Sequence, residues 1–230
     1  MPVTLERSKR YTEDAKKVPA AAVTVEQAVD VVKSFKATKF DQTVELIVSL
    51  GIDAKQADQM IRGSISLPHG VGKTKRVVAF CPDHLAEKAL ATGAIRAGGQ
   101  ELVAAIEKEN FSDFDVAIAT PDMMRFVGRL GKVLGPKGLM PSPKAGTVTN
   151  DLETAIREYA AGKVEYRNDA GGNVHVVVGK QGFDKQKLVD NVNAMIGQLR
   201  RMKPATSKGQ YFKKAILKGT MTPAVPVDVR

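Results

Sequence analysis

The sequence predicts a fold of class α+β plus α/β: a two-layer α+β domain built from both chain ends, with a doubly wound α/β domain inserted between them. Three observations lead there. Up to about residue 70 the chain offers helical segments and one alternating strand, too little to make a sheet alone. From Arg76 to about Ala161, short and wholly apolar strands alternate with helical segments, the pattern of strands buried on both faces and joined by crossover helices. Beyond Val164 alternating strands return, with one long amphipathic helix among them. The expected bounds are 1–70 with 161–230 for the outer domain and 71–160 for the insert. Residues 67–74 and 160–163 would carry the two crossings and act as a hinge.

The elements follow in order. A short helix is expected over residues 12–17. A second starts at Thr24, with Gln27 three residues on as its capping partner, and Val25, Ala28, Val29, Val32 and Phe35 fall on one face. Val44, Leu46, Val48 and Leu50 alternate with Thr43, Glu45, Ile47 and Ser49, which gives a strand with one core face and one largely polar face. In the insert, strands are expected at 76–80 and 115–119 and helices at about 83–92, 100–109 and 151–161. Another helix should open at Thr120, because Pro121 suits a first helical position. Residues 164–167 and 174–178 read as a hairpin around turn residues 168–172. A helix over about 184–202 buries Leu188, Val192, Met195, Ile196 and Leu199, and strands near 211–217 and 224–229 close the chain.

One segment departs from this grammar. The 28 residues 123–150 hold five basic side chains, no acidic one, three prolines and five glycines. Proline removes a hydrogen-bond donor and glycine weakens regular elements, so a long loop is expected. Leu134, Leu139 and Met140 argue for a shaped cationic surface there in place of a solvated linker.

Composition excludes several functions. No stretch approaches the ~18 apolar residues of a membrane span, and the first residues lack the apolar core of a signal peptide. A cytosolic protein without a membrane partner is expected. A single cysteine, Cys81, rules out an internal disulfide and fits a reducing compartment. The net charge is +10, distributed as 10 basic and 9 acidic residues over 1–70, 12 and 11 over 71–160, and 13 and 5 over 161–230. A field concentrated in the last third favours polyanions through counterion release; the plainer alternative is a soluble, charged surface.

Several short motifs suggest chemistry that their neighbours do not support. Gly70-Val-Gly-Lys-Thr74 suggests a phosphate loop, but Leu67 stands where its first glycine belongs and no buried strand precedes it, which leaves a flexible link. Gly128, Gly131, Gly135 and Gly138 lack dinucleotide spacing. Cys81 and His84 are too few for a tetrahedral metal site. With no catalytic constellation and no cofactor expected, the enzyme alternative rests on the α/β insert alone. The closing segment differs: Lys203, Lys208, Lys213, Lys214 and Lys218 surround Tyr211, Phe212 and a Thr-Met-Thr-Pro turn, with Thr43, Glu45, Arg167 and His175 expected on nearby sheet surfaces. Lysines neutralise phosphates, hydroxyls reach sugars, and apolar side chains lie against bases. A general basic RNA chaperone would share these features.

Five motifs are then recognisable: Lys39-Phe-Asp-Gln-Thr-Val-Glu45, Arg62-Gly-Ser-Ile-Ser-Leu-Pro-His-Gly70, Gly135-Pro-Lys-Gly-Leu-Met-Pro141 with Pro143-Lys-Ala-Gly-Thr147, Arg167-Asn-Asp169 and Gly219-Thr-Met-Thr-Pro223. Together they closely resemble the bacterial large-subunit ribosomal protein one family, the proteins of the mobile ribosomal stalk. The resemblance implies that the insert is a Rossmann-like three-layer α/β domain that binds no dinucleotide. It further implies binding of large-subunit ribosomal RNA through the outer domain, assistance to deacylated tRNA leaving the exit site, and repression of the protein's own operon messenger RNA. A monomer is expected away from the ribosome. Carried over residue by residue, the RNA contacts are Lys39, Phe40, Thr43, Glu45, Arg167, Asp169, His175, Thr220, Met221 and Thr222, with Pro223 shaping the turn. Lys132, Lys137 and Lys144 are assigned a secondary contact with RNA or tRNA, or packing at the hinge. Two departures stand out. Many relatives have glycine where this chain has Thr222, which leaves its backbone less free to approach a ribose, and some have lysine in place of Ala170.

Overall fold

The computed structural model describes residues 7–109, 111 and 113–229; residues 1–6 and 230, part of the expected outer domain, lie outside the described residues. The elements run α1 (Lys9–Ala15), α2 (Val25–Ser34), β1 (Thr43–Leu50), β2 (Arg62–Ile65), β3 (Val77–Phe80), α3 (Asp83–Thr92), β4 (Arg96–Gly98), α4 (Gln100–Glu109), β5 (Val116–Ala119), α5 (Met124–Val127), α6 (Gly131–Leu134), α7 (Leu152–Ala160), β6 (Val164–Arg167), β7 (Asn173–Lys180), α8 (Lys185–Arg201), β8 (Phe212–Gly219) and β9 (Val225–Val227). They gather into two compact units. One holds the residues up to Ile61, Leu67–Gly72 and those from Tyr166 onward, and the other Arg62–Ser66 with Lys73–Glu165.

In the first unit, four strands form a sheet in the order β7-β1-β8-β9. β1 is central and antiparallel to both β7 and β8. Its alternation works as expected: Val44, Leu46, Val48 and Leu50 are buried, and the residues between them are half-buried. Helices α2 and α8 pack against each other and against the sheet. α2 is set by a complete capping box, in which the Gln27 N–H donates to the Thr24 hydroxyl oxygen and the Thr24 N–H donates to the Gln27 side-chain oxygen. α8 buries Leu188, Val192, Met195 and Leu199 completely, each stabilising by roughly 1.5–3 kcal/mol relative to exposure. Helix α1 starts earlier than expected, because Ser8 caps it by accepting from the Tyr11 N–H. Its buried Asp14 accepts from Lys17 and from the Lys36 backbone, and Lys17 in turn donates to the Ser34 carbonyl at 2.8 Å. These bonds moor α1 to the end of α2.

The expected hairpin at 164–178 forms only in part. β6 pairs with β2 in a two-stranded ribbon, and a single bridge, Asn168 to Val174, joins its end to β7. Local alternation identified both strands but carried no information about their partners.

The second unit centres on three parallel strands in the order β4-β3-β5. Successive residues of β3 serve opposite faces. Val78 and Phe80 pack with Leu102, Val103 and Ile106 of α4, whereas Val77 and Ala79 pack with Ala89 of α3 and Leu152 and Ile156 of α7.

Segment 123–150 is not the open loop that its glycines and prolines suggest. A 3-10 turn at Pro121–Met123 leads directly through α5, a second 3-10 turn and α6, so the helix expected after Thr120 is broken into short turns. Val127, Leu130 and Leu134 are each 0% exposed, and Leu139 and Met140 pack against the same core. Further on, the buried Tyr159 donates its hydroxyl to the Ala145 carbonyl at 2.6 Å, and burial pushes its phenol up to about 12.

Candidate nucleic-acid interface

The face of the four-stranded sheet opposite its buried side has a fixed cross-strand register. Lys218, Glu45 and Val177 lie side by side, as do Ile216, Ile47 and His175, and then Lys214, Ser49 and Asn173. Residues directly opposite one another in antiparallel strands project to the same side, so cations, a carboxylate, an imidazole and aliphatic side chains share one surface. A register shift between Val44 and Glu45 against β7 falls at the edge of this array. At that end Lys180 donates to the Thr43 hydroxyl at 2.8 Å.

The turn at 219–223 is built from within. Its Thr222 hydroxyl accepts from the Gly219 N–H at 2.7 Å and donates toward the Pro223 carbonyl at 3.2 Å. The Thr220 hydroxyl accepts from the Thr43 N–H at 3.2 Å. Gln42, 0% exposed, accepts from the Met221 N–H at 2.8 Å and uses its amide nitrogen on Gln181 at 3.0 Å. Arg10 donates to the Met221 carbonyl at 2.9 Å. The Met221 backbone is therefore held on both polar groups while its side chain remains 54% exposed, and Phe40, two residues before Gln42, is 53% exposed. Two large apolar side chains in water, on a backbone fixed by hydrogen bonds at Met221 and by the Thr38 hydroxyl donating to the Phe40 carbonyl, form a pre-organised contact surface.

At the other end of β1, the loop 168–173 is ordered by Asp169. Its carboxylate accepts from the Asn173 side chain at 3.0 Å, the Asn173 N–H at 2.7 Å and the Gly171 N–H at 2.8 Å. The Asn173 side chain above all, then these backbone donors with a smaller attraction from His175, holds the Asp169 carboxyl below the usual carboxylate range. Gly172 has φ +77°, and a β-carbon there would lie 3.2 Å from the Leu50 carbonyl, so the close return of the loop to β1 requires glycine. Asn168, buried beneath, accepts from the Ile61 N–H at 2.8 Å.

Most of the carried-over residues belong to this surface. Thr43 and Glu45 lie on β1 and His175 on β7; Thr220 and Met221 form the turn, and Lys39 and Phe40 are exposed just before β1. Arg167 is exposed on β6. Thr222 differs from its expected role as a surface contact. It is 6% exposed and its hydroxyl is committed to the turn, so it shapes the backbone that presents Met221. The same bonds account for the departure from glycine, since the threonine side chain turns inward and secures Gly219. Lys132, Lys137 and Lys144 lie in the other unit, exposed on or near its short helical turns. Gln42, Arg10 and Lys180 were missed; the only sequence signal was the position of Gln42 inside the Lys39–Glu45 motif.

In the insert, the Lys73 ammonium lies 3.2 Å from the Asp115 carboxylate. Among the described residues no group of histidine, cysteine, aspartate and glutamate could hold a metal ion. No helix among them is long and apolar enough to cross a membrane.

The family model described as "Ribosomal protein L1p/L10e family" matches residues 32–223. The chain is 49% identical over 224 residues to a protein of Thermosipho africanus named "Large ribosomal subunit protein uL1", covering 97% of each. It is 47% identical to the protein of that name from Kosmotoga olearia over 97% of this chain and 96% of the relative. The Thermobifida fusca protein of that name is also 47% identical, over 97% of this chain and 95% of its own length.

Proposed function

The chain belongs to the ribosomal protein L1p/L10e family, and we propose that it is a non-catalytic constituent of the large ribosomal subunit that grips large-subunit ribosomal RNA with its open sheet face and the 219–223 turn. The observation that carries this reading is the buried Gln42, which fixes Met221 beside an array of cations on the sheet. Lys180 and Lys214 neutralise phosphates, while Phe40 and Met221 lie against bases or riboses. Glu45 has the opposite sign and repels phosphate, so it accepts from a ribose hydroxyl or a base amino group instead and fixes the register of the RNA.

The family resemblance extends the proposal. The outer segments 1–70 and 161–230 form the RNA-binding domain, with 71–160 as an inserted Rossmann-like three-layer domain. The protein works in the cytoplasm on the ribosome, helps deacylated tRNA leave the exit site, and represses its own operon messenger RNA by binding a site that resembles the ribosomal one. Lys132, Lys137 and Lys144 supply a secondary contact with the tRNA.

Binding of deproteinised large-subunit ribosomal RNA, measured across salt with a chain in which 71–159 is replaced by a short linker, tests the main assignment. Specific binding should survive the replacement; its loss would move the site to the insert. Equal affinity for unrelated RNAs would favour a general chaperone, and nucleotide hydrolysis abolished by Lys73→Ala would favour an enzyme.

A further inference from the structure

Beside the 219–223 turn, an open cavity of about 470 Å³ lies between the start of α1 and the end of β8. Arg7, Arg10 and Lys218 line it together with Tyr11 and Thr220, and among the described residues no carboxylate contributes to its walls. Among those residues, too, none of these three cations makes a salt bridge. Arg7 stacks over the Tyr11 ring at 5.0 Å, which orients its guanidinium without neutralising it. Arg10 uses Nη2 on the Met221 carbonyl, but its Nη1 is shielded from solvent and has no partner among the described residues. A guanidinium nitrogen withdrawn from water without an acceptor is an unmet demand for one.

Three cations that make no salt bridge among the described residues, gathered around one cavity whose walls carry no carboxylate among them, are the chemistry of a phosphate site. We propose that Arg7, Arg10 and Lys218 together bind a backbone phosphate of the RNA held by the adjacent turn. This rests on the RNA-binding reading above and adds the N-terminal segment to it. Arginine forks suit phosphate oxygens, and the mooring of α1 through Asp14 and Lys17 keeps the fork in place before RNA arrives. Arg10 thereby joins two parts of the surface, since the residue that holds the Met221 carbonyl also lines the cavity.

The test is the salt dependence of affinity for deproteinised large-subunit ribosomal RNA and for poly(U), compared between the full chain and R7Q/R10Q, R7K/R10K and R7Q/K218Q. For the two glutamine-containing variants the slope of log affinity against log salt should fall by roughly 0.7–0.9 for each phosphate that is no longer neutralised. Both RNAs should weaken alike, leaving discrimination between them intact. The lysine variant should keep the wild-type slope, because charge is retained. R7Q/K218Q leaves the Arg10 to Met221 bond in place, so it reads the phosphate site even if R7Q/R10Q fails to fold. An unchanged slope in a folded variant would overturn the proposal. Loss of binding to polyglutamate with RNA binding unaffected would also overturn it and reassign the cavity to an acidic protein. Equal weakening of binding by inorganic phosphate in wild type and R7Q/K218Q would likewise count against a phosphate site here. If the wild-type chain showed no preference for ribosomal RNA over poly(U), the RNA-binding reading itself would fail; a wild-type preference with unchanged variants defeats only the phosphate site.

Discussion

The open sheet face of the first unit and segment 123–150 of the second both carry several basic side chains, yet they treat their apolar residues in opposite ways. In the segment, Val127, Leu130 and Leu134 turn fully inward and the cations are left on the outside, as on any solvated helical turn. Around the sheet the arrangement inverts. Phe40 and Met221 stay in water while a polar side chain, Gln42, is buried to hold the backbone behind them. Burying a polar group is tolerated only when it is hydrogen-bonded, and its use to keep methionine exposed is what supports the proposal that this surface is built for contact. Positive charge and a scarcity of acid do not distinguish the two regions; the direction of the apolar side chains does.

That contrast can be broken by substitution. The largest effect is expected from Leu134→Ala, which should destabilise the second unit by about 2–5 kcal/mol in calorimetry while RNA affinity measured on still-folded protein changes little. A large loss of affinity without destabilisation would make the segment the grip after all. Met221→Asp should do the reverse: affinity falls by about 2–4 kcal/mol as a charge is buried against the bases or riboses that Met221 covers, and stability stays within about 0.5 kcal/mol because the side chain is exposed. Retained RNA binding by this variant would refute the turn as part of the RNA surface. Gln42→Ala should lower both quantities, by about 1–3 kcal/mol in stability, because the Met221 N–H loses its acceptor and the turn its anchor.

The smallest effect concerns pH. The Asp169 carboxyl is held below its ordinary value by the Asn173 side chain and nearby backbone donors, so its contribution to loop order is fully present above the ordinary pKa of about 3.9. It is lost as pH falls through the lower folded value. The amide resonances of Gly171 and Asn173 should therefore hold steady from neutral pH to about 4 and move only below it. A midpoint above the ordinary value would mean that the carboxylate is not held as described.

Much of the fold could be read from local pattern. Thr24 and Gln27 announced α2, the apolar spacing from Leu188 to Leu199 announced α8, and strict alternation announced β1. Elements with little or no period of their own escaped: β4 is only Arg96–Gly98, and its strand conformation comes from pairing with β3. The helix expected after Thr120 broke because Gly128 and Gly131 favour short turns over a continuous run, while their apolar neighbours kept those turns in the core. For the interface, motif resemblance supplied Phe40, Glu45 and Met221. Arg10 could not be found that way, since its importance lies in meeting a carbonyl far along the chain, an interaction with no local signature.

The central strand of the sheet has a further consequence, in the order of synthesis. β1 is made early, but its neighbour β8 follows every residue of the second unit. Closing so long a loop adds only modestly to the entropy cost of pairing, so the insert is thermodynamically tolerable. Timing is another matter: the second unit has all its residues available to fold while the face proposed to bind RNA still lacks β8, Lys214, Lys218 and the turn that carries Met221. On the proposed reading, a nascent chain cannot seize RNA by this face before β8 and the 219–223 turn have emerged.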